Sequence, residues 1–464
     1  MSTFKRISIV ILLSAVIFIQ GCAVLPFKRD FSKIFSTYLP RVDDNPVIIV
    51  PGIIGSRLVN TETGKMLWGS LRLKQILFLS ERDGIALPIE SEILSENRDS
   101  IASKGIIDMY ELPTGIIQFN VYIELLEMFE EIGYRLGDIK NPKPEDNLYI
   151  FDYDWRRDNV ETAGILDETI ENLKAKRGRP NEKFTLICHS MGGLIGRYYA
   201  RYGGKDVLSQ APNFKVTCAG SKNLKRLILL SVPSLGSLPI FQFLHKGLDL
   251  TIAEYPPYVL YTMPSVYQLL PFREVHSFIT GEGDEVYIDL YNIENWKRYG
   301  WSIYSDKMKT LMKSRYKLKY REGWEEQFGK YEKKRDRFVA SALKRADLFQ
   351  KSLNFRPQKR SACEVILFGG DTNWTISKAV LKKENGGWKT YFWDPRLKEK
   401  ILKPGDTMIT RDSLLGVINA GVTKKVWEHS PMDIAFSLFV TQRHENIHKD
   451  ATFQNNLLHI LLGD

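Results

Sequence analysis

One stretch of 19 residues, "FTLICHSMGGLIGRYYARY" at positions 184–202, constrains the fold more than any other part of the chain. Its apolar beginning predicts a short buried strand over residues 184–188, and residues 194–200 predict the body of a helix. The polar pair His189 and Ser190 lies at the turn between them. A serine on a tight strand-to-helix turn can be held out as a nucleophile. A serine that caps the helix N-terminus is the alternative interpretation.

The rest of the chain alternates between strand-like and helix-like segments. The predicted strands lie in "NPVIIVPG", "NLYIFDYDWR", "FTLICHS", "LKRLILLSVPSLGS", "CEVILFGGDT" and "IAFSLFVTQ". Helical patterns lie between them, as in "ILDETIENLKAKRG", and a closing helix is predicted in "ATFQNNLLHILLG". This alternation predicts an α/β fold, with a mostly parallel central sheet and helices on both faces. Chemistry in such folds gathers at the carboxyl ends of the strands, where Asp154, Ser190 and Asp371 are expected.

A nucleophilic serine needs a base and an acid that orients the base. In a fold of this kind the chain order is serine, then acid, then histidine. The candidate bases near the C-terminus are His429, His444, His448 and His459. His444 follows the last predicted strand and His448 is its competitor, whereas His459 lies inside an apolar helical stretch.

Two aspartates are candidates for the acid. Asp371 in "LFGGDTNW" and Asp406 in "PGDTMITRDSLL" both follow a glycine near a predicted strand end. Periodicity does not separate them, so the residue pattern leaves both open.

Five blocks of the chain occur in an order that resembles a known family. They are "PVIIVPGIIGSRL", "YDWR", "CHSMGG", "PGDTMITRDSL" and "HENIHKDATFQNNLLHILLG". Together they resemble the lecithin–cholesterol acyltransferase and lysosomal phospholipase family, including its bacterial lipase-like members. The resemblance implies an α/β-hydrolase fold and a Ser-Asp-His triad that acts on lipid esters. It assigns the nucleophile to Ser190, the acid to Asp406 and the histidine to His444.

The same resemblance implies further site residues. The turn after the first strand is similar to the family's oxyanion loop, so the backbone N–H groups of Ile53 and Met191 are expected to stabilise the oxyanion. Trp68 is similar to a family tryptophan near the acyl site, although an aromatic residue there also suits simple packing. The implied reaction forms an acyl-enzyme and needs no cofactor and no metal. Esterase action on non-lipid esters, or a catalytically silent envelope lipoprotein, are the alternatives.

The N-terminal segment "MSTFKRISIVILLSAVIFIQGC" has the pattern of an export signal. Two basic residues precede an apolar run at 7–19, which is shorter than the roughly 20 residues of a membrane span. The final "IQGC" resembles a bacterial lipobox, which implies cleavage before Cys22 and lipidation of its sulfur. An uncleaved anchor helix is the alternative. We expect a lipid-anchored protein of the bacterial cell envelope, sorted to the outer membrane because Ala23 is not aspartate.

The predicted domain organisation divides the chain into five segments. They are a lipoprotein signal peptide at 1–21, a linker at 22–45, the first part of the hydrolase core at 46–234, a cap insertion at 235–360, and the C-terminal part of the core at 361–464.

Positive charge is concentrated in the second half of the predicted cap. Residues 305–360 contain 18 Lys and Arg against seven Asp and Glu, while the whole chain carries +10. The segment is either a solvated helical insertion or a basic face that meets anionic lipid head groups. An exported, anchored protein is not expected to bind nucleic acid, and the sequence does not indicate an oligomeric state.

Overall fold

The computed structural model describes residue 31 and residues 46–69, 83–107, 122–249, 254–357, 361–418 and 430–463. The predicted signal peptide and the lipidation site Cys22 lie outside the described residues, as do His429 and all of the linker except Phe31. Within the described part of the chain, no helix is both long enough and apolar enough to span a membrane.

Six strands of the described chain form the central sheet. In chain order they are β1 (Val47–Val50), β2 (Leu148–Ile150), β3 (Phe184–His189), β4 (Leu224–Leu230), β5 (Glu364–Gly370) and β6 (Ile434–Val440). Their spatial order is β6-β5-β4-β3-β1-β2, and every neighbouring pair is parallel. The sequence analysis predicted a strand in each of these segments, and the structure confirms the mostly parallel sheet and the α/β fold.

Helices cover the sheet on both sides because alternate strand residues point to opposite faces. In β1, Val47 and Ile49 join the apolar cluster that contains the first and last described helices, and Ile48 and Val50 join the cluster on the other face. The described α-helices are Ile123–Glu131, Asn159–Lys176, Met191–Tyr202, Leu238–Lys246, Pro257–Leu260, Pro264–Gln268, Ile293–Tyr299, Asp306–Tyr320, Trp324–Asn354, Lys398–Ile401, Arg411–Leu415 and Ala451–Leu462.

Smaller sheets surround the central one. Three strands, Ser56–Asn60, Met66–Trp68 and Ile101–Ile106, pair with one another, and four others form a second sheet: Phe278–Thr280, Glu285–Val286, Ala379–Glu384 and Gly387–Tyr391. Two-stranded pairs join Asn373–Ile376 to Leu402–Gly405 and Leu248–Asp249 to Glu254–Tyr255. The four-stranded sheet therefore links segments on both sides of the predicted boundary at 360.

The long helix Trp324–Asn354 is fastened to the segments that follow β2 and β3. Arg345 forms ion pairs with Asp158 at 2.5 Å and with Asp206 at 2.7 Å. The Phe349 ring stacks on Tyr198 with 5.7 Å between centroids. The long helix thus packs directly against the helix that begins after Ser190.

Candidate active site

Ser190 occupies a strained turn between β3 and the helix Met191–Tyr202. Its φ and ψ are 52° and −124°, in a region that residues other than glycine rarely adopt. The backbone N–H of Ser190 donates to the carbonyl of Leu230 at 2.9 Å, which holds the turn in place. Ser190 is the N-cap residue of the helix by position, but its side chain makes no capping hydrogen bond, so it does not act as a side-chain cap. Strain of this kind persists only where surrounding contacts enforce it.

Three glycines allow the helix to approach the sheet closely. A Cβ at Gly192 would lie 2.5 Å from the carbonyl oxygens of β1, and a Cβ at Gly193 would lie 2.0 Å from Val232. A Cβ at Gly196 would lie 2.7 Å from the sulfur of Cys188, the residue that stands two positions before the serine. The close packing explains why small residues occupy these positions.

The structure brings His444 and Asp406 to the serine. The Nε2 atom of His444 lies 3.0 Å from the Ser190 hydroxyl oxygen, and its Nδ1 atom lies 2.9 Å from an Asp406 carboxylate oxygen. In this arrangement Nδ1–H donates to Asp406, which leaves Nε2 free to accept the serine proton. Burial lowers the pKa of His444, but the charge and hydrogen bond of Asp406 outweigh burial, so the pKa lies above its ordinary value.

The Asp406 carboxylate is fully buried and oriented by its own loop. Its second oxygen accepts the backbone N–H groups of Met408 at 3.0 Å and Ile409 at 2.7 Å. Because these donors are backbone groups, the side chains of Met408 and Ile409 are not needed to hold the carboxylate. Ser413 of the same motif donates to the carbonyl of Gly236 at 2.7 Å and so ties the acid loop to the loop after β4.

Asp371, the competing acid, contacts Arg411 at 3.7 Å. The glycine before it packs closely against other segments, since a Cβ at Gly370 would lie 2.4 Å from the carbonyl oxygen of Gln442 and 3.0 Å from the Cβ of Asp406.

The other polar candidates lie apart from this set. His448 is buried beside Glu124, with 3.5 Å between ring nitrogen and carboxylate, and His459 is exposed on the C-terminal helix. Asp154, which follows β2, forms an ion pair with the buried Arg156 at 2.7 Å.

The turn that contains Ile53 lies against the serine. A Cβ at Gly52 would lie 2.9 Å from the Cβ of Ser190. The Gly52 N–H donates to the hydroxyl of Tyr122 at 2.9 Å, and Ile53 is the next residue along the turn. Met191 begins the helix after Ser190, where backbone N–H groups have no partner within the helix. The two expected oxyanion donors therefore flank the serine.

Tyr122 is a site residue that the sequence analysis missed. Its hydroxyl joins the Gly52 amide to the Nδ1 atom of His189, which lies 2.9 Å away. Burial, followed by the neighbouring His444 and His448, lowers the pKa of His189 far below its ordinary value, so its ring is neutral and can accept from the tyrosine. Burial raises the pKa of Tyr122 and keeps its proton in place. No pattern around Tyr122 in the sequence indicates this contact.

Trp68 supports the same turn from the other side. Its indole N–H donates to the carbonyl of Ile54 at 2.9 Å, and Ile54 has a φ of 59°, which is unusual for a β-branched residue. The ring is 4% exposed and packs edge-on against Trp155 and Tyr255. Its observed contacts are those of a packing residue that braces the turn.

A parallel sheet with a serine on the strand-to-helix turn, and an aspartate and a histidine at the same edge, defines an α/β-hydrolase. The family model of lecithin:cholesterol acyltransferase matches residues 100–341, which is more than half of the chain. The chain therefore belongs to the lecithin:cholesterol acyltransferase family. No match was found among curated protein sequences.

Solved structures support the fold. The chain is similar to the structure entitled "The crystal structure of Tle4-Tli4 complex", with 13% identity, a TM-score of 0.53, and coverage of 90% of this chain and 98% of that chain. At this identity the likeness shows the fold alone. The structure of phospholipase PlaB from Legionella pneumophila matches 36% of this chain and 36% of its own at 21% identity. Its TM-score of 0.21 is too low to indicate a shared fold.

Proposed function

We propose that this protein is a serine esterase that acts on lipid esters by acyl transfer through Ser190. The observation that carries the proposal is the continuous hydrogen-bonded chain from Ser190 through His444 to Asp406, with distances of 3.0 and 2.9 Å. Membership in the lecithin:cholesterol acyltransferase family supports a lipid ester as the substrate.

The proposed reaction has two stages. His444 Nε2 takes the proton of the Ser190 hydroxyl as the oxygen attacks the ester carbonyl, and Asp406 stabilises the resulting imidazolium. His444 then gives that proton to the leaving alcohol, and the acyl group remains on Ser190. Water releases a carboxylic acid, whereas a second alcohol receives the acyl group in a transfer reaction.

The oxyanion would accept hydrogen bonds from the backbone N–H groups of Ile53 and Met191. The loss of one such donor typically costs about 2.7–4 kcal/mol of transition-state stabilisation. The Tyr122 hydroxyl supports this role, since it holds the amide of Gly52 and thereby fixes the neighbouring turn.

The proposed site of action is a lipid surface in the cell envelope. Lipidation of Cys22 would anchor the protein there, and more than one acyl chain is needed for stable anchoring. The proposed cap at 235–360 contains apolar and aromatic residues, such as those in "YPPYVLYTMPSVYQLLPF", which suit a substrate with acyl chains. Replacement of Cys22 by serine should release the protein from the membrane fraction, and equal retention of the variant would contradict the anchor.

A fluorophosphonate probe tests the enzyme proposal, because it labels only an activated serine. Labelling should occur at Ser190, and Ser190→Ala should abolish it without altering the far-ultraviolet circular dichroism spectrum. A folded wild-type protein that takes no label would instead indicate a catalytically silent member. The turnover of a series of p-nitrophenyl esters then tests the substrate class: a maximum at long acyl chains supports a lipid esterase, and a maximum at acetate supports action on non-lipid esters.

A further inference from the structure

A cavity lies at the far half of the helix Met191–Tyr202, away from Ser190. Its volume is about 410 Å³, and three arginines, Arg197, Arg201 and Arg356, contribute to its wall. At a rise of 1.5 Å per residue, Arg197 and Arg201 lie roughly 10 and 16 Å along the helix from Ser190. The cavity is therefore separate from the reacting serine and its histidine.

Two of these arginines are buried. Arg197 is 3% exposed and Arg201 is 9% exposed. No carboxylate of the described residues is paired with either guanidinium, and the exposed Arg356 likewise forms no ion pair with a described residue. Asp433 is the acidic residue in the described wall, and it is exposed. Buried charges are normally paired, so this cluster has an unusual excess of positive charge.

The hydrogen bonds of the two buried guanidinium groups explain only part of the arrangement. Arg197 donates to the carbonyls of Ser234 at 3.3 Å and Leu353 at 3.0 Å, and Arg201 donates to the carbonyl of Phe355. These bonds satisfy carbonyl groups at the C-terminal end of the long helix Trp324–Asn354. The Nε atom of Arg201 is buried and has no hydrogen-bond partner among the described residues.

Carbonyl partners do not neutralise the charge. Burial, followed by the charge of Arg201, lowers the pKa of Arg197 to about 9, so the group remains protonated at neutral pH and carries a charge that no described carboxylate offsets. Burial also lowers the pKa of Arg201. An anion between these groups would relieve the repulsion between them.

We propose that this cavity binds a phosphate group. Arginine offers planar, charged donors that suit phosphate oxygens, and three arginines match the charge of a phosphate dianion better than that of a single carboxylate. The hydroxyls of Ser361 and Ser430 lie in the same wall as further hydrogen-bonding groups. The remaining wall is apolar, with Val216, Leu227 and Val365, and provides space for an organic part of the ligand.

Occupancy of the cavity would strengthen the joint between the core and the inserted helix. Arg197 and Arg201 belong to the helix after Ser190, whereas Arg356 directly follows the end of the long helix. A phosphate held by all three would connect the two helices. The inference does not depend on catalysis by Ser190, so the Ser190→Ala variant should bind phosphate as the wild type does.

The test measures binding of inorganic phosphate to the purified full-length protein by calorimetry and by thermal unfolding, with chloride at equal ionic strength as the reference. Phosphate should raise the unfolding temperature of the wild type. Arg356→Gln changes an exposed side chain and should weaken phosphate binding about tenfold or more, as expected for a lost charge-assisted bond. Arg201→Gln should also weaken it, and Arg298→Gln, an exposed arginine on another helix, is the matched control that should bind normally.

A second arm separates the sources of the phosphate group. Vesicles that contain phosphatidic acid are compared with vesicles of phosphatidylcholine alone, and with inorganic phosphate in solution. Arg356-dependent binding to inorganic phosphate supports a soluble ligand, and Arg356-dependent binding only to phosphatidic acid supports a lipid head group. Absence of binding in both arms, or binding that Arg356→Gln leaves unchanged, would overturn the phosphate site.

Discussion

The carboxyl edge of the central sheet and the helix Trp324–Asn354 satisfy their polar groups in opposite ways. At the sheet edge, Asp406 is fully buried, and its carboxylate oxygens accept from His444 and from two backbone amides. Along the helix, exposed cations reach carboxylates across the surface or one turn away, in the pairs Lys334–Glu90, Arg337–Glu92 and Lys330–Glu326.

The difference shows that the number of charged residues in a segment does not give the number of charges that lack an ion-pair partner. Exposed pairs contribute about 0–1 kcal/mol each, whereas removal of one partner from a buried set leaves the other unsatisfied. Arg335 is buried, with its guanidinium 4.7 Å from the Tyr304 ring, and so cannot belong to a lipid-facing surface. The basic face predicted from the sequence stays a prediction, now restricted to the exposed cations of the helix.

The strongest test of the comparison changes the acid. Asp406→Asn should lower kcat by about 10³–10⁴-fold, because the amide cannot hold the histidine in the required tautomer and cannot stabilise the imidazolium. Asp371→Asn is the matched control and should change kcat by less than about tenfold, because Asp371 contacts Arg411 and not the histidine. The steady-state rate of hydrolysis of a soluble ester, measured for both folded variants, decides which aspartate is the acid. A larger loss in Asp371→Asn would refute the assignment of the acid.

A pair of glycine substitutions compares packing in the two regions. Gly192→Ala should destabilise the protein by about 1–3 kcal/mol, because the new methyl group meets backbone oxygens of β1. Gly329→Ala lies in the long helix, where a Cβ meets nothing within 4 Å, and should stabilise the protein by up to about 1 kcal/mol. Denaturant unfolding measures both. Equal effects of the two substitutions would show that the close approach at Gly192 can relax.

The pH dependence of activity reports on the buried pair. In the proposed mechanism the neutral form of His444 is the base, so kcat/KM should rise with pH, with a midpoint above the ordinary histidine pKa because Asp406 raises it. The midpoint should be lower in Asp406→Asn and unchanged in Asp371→Asn. The contribution of His444 to the free energy of unfolding changes with pH in the opposite direction to kcat/KM. It is present below the pKa of His444 in the unfolded state and is lost as the pH rises through its pKa in the folded state. A midpoint that Asp406→Asn leaves unchanged would argue against His444 as the titrating base.

The smallest expected effect lies on the basic helix. Combined reversal of Lys330, Lys333, Lys334 and Arg337 to glutamate should change the free energy of unfolding by no more than a few kcal/mol, since each exposed pair contributes about 0–1 kcal/mol. If these cations meet anionic lipid, activity on anionic vesicles should fall while activity on a soluble ester is unchanged.

The control for this experiment reverses Lys143 and Lys183, which are exposed near the starts of β2 and β3. Added salt should also weaken activity on vesicles selectively, because it screens surface charges beyond roughly 8–10 Å. If both sets of variants lose the same activity on anionic vesicles, or if neither loses any, the long helix is a solvated surface and not a lipid-binding face.

The sequence allowed prediction of the sheet and of Ser190 because those signals are local. A strand, a turn and a helix follow one another within 184–202, and the apolar periodicity of each is set by neighbours in the chain. The side chains near the other strand ends were also predicted to gather at one edge, since parallel strands share their carboxyl edge.

The choice of partner at that edge depended on contacts between distant segments. Asp371 and Asp406 have the same local sequence pattern. Two contacts in the structure distinguish Asp406: Gly370 lies close to it, and His444 donates a hydrogen bond to its carboxylate. By itself the sequence determined the order of the elements and the turn that carries the serine. Tertiary structure alone decided the partner of Tyr122 and which basic side chains are buried or ion-paired, because burial and ion pairing arise between residues far apart in the chain.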